Sequence, residues 1–448
     1  MSMPTNITWL TICLAGVGVY LVKQAFSKKN PAPYPPGPPG WPLIGNILDM
    51  PHIKPSFNFA EWGKKYGDIS HIEVLGQHII VLNSIKTAME MMDGKSSVYS
   101  DRPILPMDGE LCGWKHTLGF LPYGDRLRLS RKNIHRVIGS HAALNIYHPI
   151  EEVETHRFLK RVLGNPDQLQ AHIRHTTGAV ILRIFYGYEA KVPEWFSGAG
   201  FKRIARESRE TLEEMAGAPY KFVEDQMAAG IAPKSFTSDL LEGRPLSAEE
   251  TLCKMSNTRF RRQVSTINTL FLAMTISPDV QKKAQVEIDA VVGPDRLPSF
   301  ADRDSLPYIE ALVKEVLRWN AVAPNGGPRR VTEDDIHDGY YIPKGSLVMP
   351  NVWFMLNDPR TYANPSTICF GFGRRICPGL LLADASVWIS TVMSLAVFDI
   401  SKVIENGVEI TPEIDFSSGA ISHPKPVKCS IKARSAQALQ LIQQDINY

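Results

Sequence analysis

One cysteine organises the chemistry that this sequence can carry. Cys377 lies in the stretch Phe370-Gly371-Phe372-Gly373-Arg374-Arg375-Ile376-Cys377-Pro378-Gly379, and an apolar run, Leu380 to Ala383, begins directly after it. Glycines let a backbone approach a flat ligand and turn where a side chain would clash. Pro378 falls where the first turn of a helix tolerates a missing N–H. A thiolate so placed faces the orphan amides of a helix start, whose positive end favours negative charge. A loop cysteine of this kind is poised to bind a metal.

Two other constellations stand upstream. Glu315 and Arg318, in Glu315-Val316-Leu317-Arg318, are three residues apart on a helix expected from Glu310 to Trp319, so they share a face and can form a local ion pair. Tyr123 to Arg131 opens a basic helix carrying Arg126, Arg128 and Arg131, and Pro328-Arg329-Arg330 adds a basic pair after a proline. A charge run is most often a solvated helix face, and for Arg126 and Arg128 that is the expectation.

The elements that must position these groups follow from the chain in order. Residues 7–22 are apolar and are followed by Lys23, Lys28 and Lys29, whereas no basic side chain precedes the run. A cleaved signal carries its charge before the apolar run, so a single signal-anchor helix with a cytosolic body is expected. Residues 31–40 hold the proline-rich stretch, which favours a stiff extended spacer. The division is therefore an anchor and basic flank at 1–29, a hinge at 30–46 and a catalytic body at 47–448.

Within the body, helical spacing runs over Phe57 to Ser70, and strand-like runs follow at Ile69 to Val74 and Ile79 to Asn83. Further helices are expected at Phe201 to Gln226, Lys254 to Ile276, Pro278 to Val292 and Leu380 to Phe398, with a β region at Val408 to Lys432. The tip Ser418 to Ile421 is expected to reach a pocket.

Composition narrows the class. The 448 residues are 44% hydrophobic and 21% charged, which are globular values, and the net charge of +3 is too small for a nucleic-acid binder. Six dispersed cysteines with no Cys-x-x-Cys pair argue against a zinc site and against a disulfide framework, and a reducing compartment fits.

The spacing Phe370-x-x-Gly373-x-Arg375-x-Cys377-x-Gly379, with Glu315-x-x-Arg318 upstream, resembles the cytochrome P-450 monooxygenases, in which a cysteine thiolate holds haem iron. The resemblance covers nearly everything from Trp41 to Lys432, and Tyr99-Ser100-Asp101-Arg102-Pro103 matches a common fungal form. It implies a mainly α fold with a small β part around one haem b, preceded by a single N-terminal membrane helix. It implies Cys377 as the iron ligand and Arg375, Arg131 and Arg329 as partners of the haem propionates. Glu315 and Arg318 become a structural pair beneath the haem, and Leu127 stands where the family usually has tryptophan.

The implied reaction inserts one oxygen atom into a hydrophobic small molecule, a secondary metabolite or xenobiotic. Electrons would come from NADPH through a separate reductase at the endoplasmic reticulum membrane, with membrane lipid as a further partner and no nucleic acid. Three segments are short against the family: Tyr188 to Val192, the first half of the helix at Thr258 to Gln263, and Pro365 to the cysteine loop. The second normally carries the acid–alcohol pair that relays protons for oxygen activation; here Thr258-Arg259-Phe260-Arg261-Arg262-Gln263 stands in its place. The alternative reading is therefore a catalytically impaired haem-binding membrane protein, the product of a degenerate paralogue or of mis-splicing.

Overall fold

The computed structural model describes residues 18, 30–188, 221–241, 261–359 and 368–444. The expected anchor helix (except Gly18), the helix from Phe201 as far as residue 220, and residues 254–260 lie outside the described residues.

The architecture is mainly helical, with a small sheet region. In chain order the larger elements begin with α1 (Pro55–Tyr66), β1 (Ile69–Val74), β2 (Gln77–Leu82), α2 (Asp125–Ile138), α3 (His148–Gly164) and α4 (Leu169–Tyr186). They continue with α5 (Arg261–Ile276), α6 (Pro278–Val291), α7 (Pro307–Trp319), β3 (Arg329–Arg330), β4 (Asp335–His337), β5 (Tyr340–Ile342), β6 (Leu347–Pro350) and α8 (Val352–Asn357). The last are α9 (Leu380–Val397), β7 (Phe398–Ser401), β8 (Val403–Glu405), β9 (Val408–Ile410), β10 (Ser430–Ala433) and α10 (Ala436–Gln443).

Helix α9 is the axis of the core, and its sequence says why. It is apolar on every side, which suits a helix surrounded by protein. It is long and apolar enough to cross a membrane, yet Trp388, Ile389, Val392 and Leu395 are wholly buried within the body. Helices α3, α5, α6, α7 and α10 pack around it. Each such large apolar side chain contributes about 1.5–3 kcal/mol by leaving water. Of the polar groups it buries, Thr391 is satisfied within the helix, its Oγ1 donating to the Val387 carbonyl at 2.7 Å.

The sheet runs in the order β1-β2-β6-β3. β1 and β2 are antiparallel, β2 and β6 parallel, and β6 and β3 antiparallel, with Arg329 opposite Val348. That register puts Arg329 on the edge strand, 3% exposed and turned inward. β4 and β5 form a hairpin closed by Asp338 and Gly339, both left-handed (φ 49° and 78°), the geometry that fits the twist of a two-residue turn.

The proline-rich stretch is extended, as expected, and it is docked. The Pro36 carbonyl accepts the His71 amide at 3.0 Å, and the Pro33 carbonyl accepts the Tyr341 amide at 2.7 Å. Tyr34 stacks on His71 with ring centroids 4.8 Å apart. Gly37 lies so close to this surface that a Cβ would come within 1.8 Å of the His71 carbonyl oxygen. The tip Ser418 to Ile421 does not reach the central cleft; Ser418 Oγ instead accepts the Lys54 amide at 3.0 Å.

Candidate functional site

The cysteine loop is fixed by its own backbone first. The Cys377 amide donates to the Phe370 carbonyl at 2.9 Å, closing the loop just before α9. Pro378 lies outside the helix proper, ahead of the N-cap Gly379. Gly373 has φ 47°, and a Cβ there would fall 2.2 Å from the Met92 carbonyl oxygen, so the loop is pressed against the turn at residues 90–94.

Three arginines then tie the loop to distant elements. Arg131, from α2, donates to the Ile376 carbonyl at 2.8 Å. Arg329, from β3, donates to the Phe372 carbonyl at 2.5 Å and to those of Met92 and Tyr99 at 3.3 Å. Arg375 reaches outward to the carbonyls of Ser100 at 2.6 Å and Leu121 at 2.7 Å. All three arginines and Cys377 line one cleft, enclosing about 1410 Å³ of space that is partly open to solvent. The four residues singled out from sequence as cofactor-binding are therefore brought together.

The electrostatics of this arrangement are unusual. Burial pushes the guanidinium of Arg329 down to about 10, and nearby Arg375 and Arg131 push it the same way against Asp93. Burial likewise lowers Arg375 to about 10, aided by Arg131 and opposed by Asp101. Arg131 is lowered by burial and raised in part by Cys377. Among the described residues none of the three donates to a carboxylate, and no Asp or Glu lines the cleft. Desolvated cations that repel one another across a cavity favour an anion between them.

The rest of the wall is apolar. Leu127, Ile134, Ile181 and Phe185 face the cleft, so the leucine that stands for a tryptophan is a lining residue. Two polar members went unread in the sequence. Arg102 lines the cleft and donates to the Pro328 carbonyl at 2.5 Å; the only signal was its place in Tyr99-Ser100-Asp101-Arg102-Pro103. Gln263, on α5, is 7% exposed and turns its Nε2 toward Ser386 Oγ at 3.4 Å and the Leu382 carbonyl at 3.5 Å. Beyond Ser386 lies Glu151, whose Oε2 accepts that hydroxyl at 3.0 Å. Burial raises the Glu151 carboxyl to about 8, against the Ser386 hydrogen bond and with help from Asp384 and Glu152.

Glu315 and Arg318 lie away from the cleft. Arg318 takes both carboxylate oxygens of Glu315 at 2.7 Å and donates to the Leu356 carbonyl at 2.9 Å, clamping α7 to α8. Arg126 and Arg128 sit on the exposed face of α2, and Arg128 pairs with Asp125 at 2.7 Å.

A mainly helical body with a small mixed sheet, its cysteine loop beside buried arginines, has the organisation of a haem-thiolate protein. The family model described as cytochrome P-450 matches residues 35–194 and 194–368, and the chain belongs to that family. The chain is similar to cytochrome P-450 monooxygenase 208 of Postia placenta, 46% identical over 471 residues, covering 92% of each chain. It is similar to the monooxygenase claR of Ampulloclitocybe clavipes, 40% identical over 505 residues, covering 99% of this chain and 94% of that one. A third relative, the monooxygenase CLM2 of Gibberella zeae, is 37% identical, with 97% and 95% covered. Membership makes the chain an oxidoreductase of the monooxygenase class and implies a haem iron cofactor.

The same comparisons bear on the short segments. The family match breaks at residue 194 and ends at residue 368, beside two of the three short joins, and the cysteine loop follows its end. The alignment to the Ampulloclitocybe relative runs over 505 residues where this chain has 448, so that relative carries blocks without a counterpart here.

Proposed function

We propose that this chain binds haem b through the Cys377 thiolate and inserts one oxygen atom into a hydrophobic small molecule, a secondary metabolite or a foreign compound. Arg131, Arg329 and Arg375 hold the propionates. The observation that carries the reading is the convergence on one cleft of Cys377 and three guanidiniums, one buried and two half-buried, none bonded to a carboxylate among the described residues.

The haem supplies the oxygen chemistry when bound, and the chain's residues bind, orient and exclude water. Leu127, Ile134, Ile181 and Phe185 give the substrate an apolar wall. The backbone amide of Cys377 donates to the Phe370 carbonyl, which fixes the main chain from which the sulfur projects. Electrons come from NADPH through a separate reductase. Residues 1–29 anchor the body (47–448) to the endoplasmic reticulum membrane through the segment 30–46, with the catalytic part in the cytosol.

Reduced protein under carbon monoxide should show the red-shifted Soret band of a thiolate adduct, and Cys377→Ser should abolish it. A haem-loaded protein whose spectrum ignores that substitution refutes the assignment.

A second reading is favoured by Gln263. An amide, with no acidic residue on the described cleft wall, stands near the place of the family's acid–alcohol pair. Positioned acid–base groups ordinarily deliver such protons. On this reading the protein binds haem but wastes reducing equivalents. Reconstitution with reductase separates the two: product matched to NADPH consumed supports the monooxygenase, and peroxide in its place supports the impaired form.

A further inference from the structure

The β4–β5 hairpin carries a group that the cleft does not use. His337 ends β4, is 6% exposed, and its Nε2 is buried with no hydrogen-bond partner. Two carboxylates converge on that nitrogen: Glu90 Oε2 and Asp338 Oδ2 each stand 3.6 Å from it. This is beyond good hydrogen-bond length. It is close to the ~3.3 Å separating two ligands of a tetrahedral ion with bonds of about 2.0–2.1 Å. All three donor atoms lie within 4.8 Å of one another.

We propose that Glu90, His337 and Asp338 form a site for a divalent transition metal, with Zn²⁺ the best match. A neutral imidazole nitrogen and two carboxylates balance the charge of a dication and leave a fourth position for water. A buried nitrogen donor disfavours Mg²⁺ and Ca²⁺, which take oxygen ligands. The expectation against a zinc site rested on cysteine spacing alone, and no cysteine takes part here. Lys86 stands 3.9 Å from the other Glu90 oxygen, Oε1, and Lys95 is engaged by Asp335.

The donors are held in place by their surroundings. The left-handed Asp338-Gly339 turn sets Asp338 beside His337. Tyr99 and Lys95 grip Asp335 at the start of β4, at 2.6 Å and 2.8 Å. Glu90 opens the helical turn Glu90–Gly94, and the Met92 carbonyl in that turn receives Arg329 and touches Gly373 of the cysteine loop. The ion would thus staple the hairpin to the segment on which the cysteine loop rests.

The test uses the full haem-containing chain, stripped of metal with a chelator and titrated calorimetrically with Zn²⁺. One ion per chain is expected, with a rise in the unfolding midpoint. Co²⁺ in the same site should show absorption bands of mixed nitrogen and oxygen ligation. Glu90→Ala combined with Asp338→Asn, which keeps a residue tolerant of the left-handed turn, should weaken binding by more than the about 10–100-fold typical of outer-sphere losses. His337→Asn should do the same; if it fails to fold, the double carboxylate variant and the Co²⁺ spectrum decide. Absence of stoichiometric binding overturns the proposal. So does full affinity in the double variant, especially if His71→Asn removes it instead, at the pair in which His71 Nε2 and His78 Nδ1 stand 2.9 Å apart.

Discussion

Two buried sets of arginine meet the same electrostatic problem and end differently. Arg318 is 8% exposed and has its counter-charge within the chain, a bidentate Glu315 one helical turn away. Arg329 is 3% exposed, yet among the described residues it and its half-buried neighbours Arg131 and Arg375 bond only to carbonyls. Carbonyls satisfy N–H geometry without cancelling charge, so the second set is complete only when an anion arrives. An arginine paired inside the fold is scaffold; one paired only from outside is site. Glu151 marks a third outcome, a buried acid that remains neutral.

The largest expected effect tests that third outcome. Glu151 titrates near 8 in the folded chain against 4.5 ordinarily, so the folded state holds the proton more tightly. Its contribution to stability is fully present below about pH 4.5 and is lost as pH rises through about 8. Glu151→Gln can still accept the Ser386 hydroxyl and should flatten this decline by a few kcal/mol in denaturant titrations across that window. Parallel slopes for the two proteins would mean that the carboxyl is ionised and paired.

Next in size is the scaffold pair. Glu315→Ala leaves a buried guanidinium without its carboxylate and should cost about 2–3 kcal/mol of unfolding free energy, with haem or without it. A cost confined to the haem-loaded form would move the pair from scaffold to site. Arg131→Met should behave in the opposite way. Losing one hydrogen bond and one desolvated charge should change the haem-free protein by no more than about 1 kcal/mol, while haem dissociation quickens roughly 10–100-fold. Stopped-flow transfer of haem to an acceptor globin measures it, and an unchanged rate would remove Arg131 from the anion site. The smallest effect belongs to Arg128→Ala on the exposed face of α2, where neither haem transfer nor the unfolding midpoint should change.

These contrasts also mark what was legible in the sequence. Cys377, Arg375, Arg131 and Arg329 could be picked out because each sits in a short pattern, and the fold brings all four to one cleft. The Glu315–Arg318 clamp was legible because a helix fixes neighbours three apart. Gln263 and Ser386 lie 123 positions apart, and Glu151 and Ser386 lie 235 apart, so no local period announces them. The meeting of Glu90 with His337 depends on a hairpin turn and a helical turn brought together by the sheet. Helix boundaries followed the apolar spacing closely, as at α7 and α9, because there the buried face determines the element. The proline-rich stretch was legible as extended but not as docked, since its partners are carbonyl and amide groups that every residue carries.

That docking has a mechanical consequence. Because Pro33 and Pro36 are already bonded to the body, the anchor proposed upstream would pull on the fold at Pro33 and not at Trp41. The eight residue-to-residue steps between them, about 26 Å of extended chain, would be withdrawn from the leash. A shorter leash narrows the range of tilts the body can adopt over a membrane, and so the directions in which the cleft can open toward lipid. The load is also delivered to Tyr341, on the hairpin that holds His337.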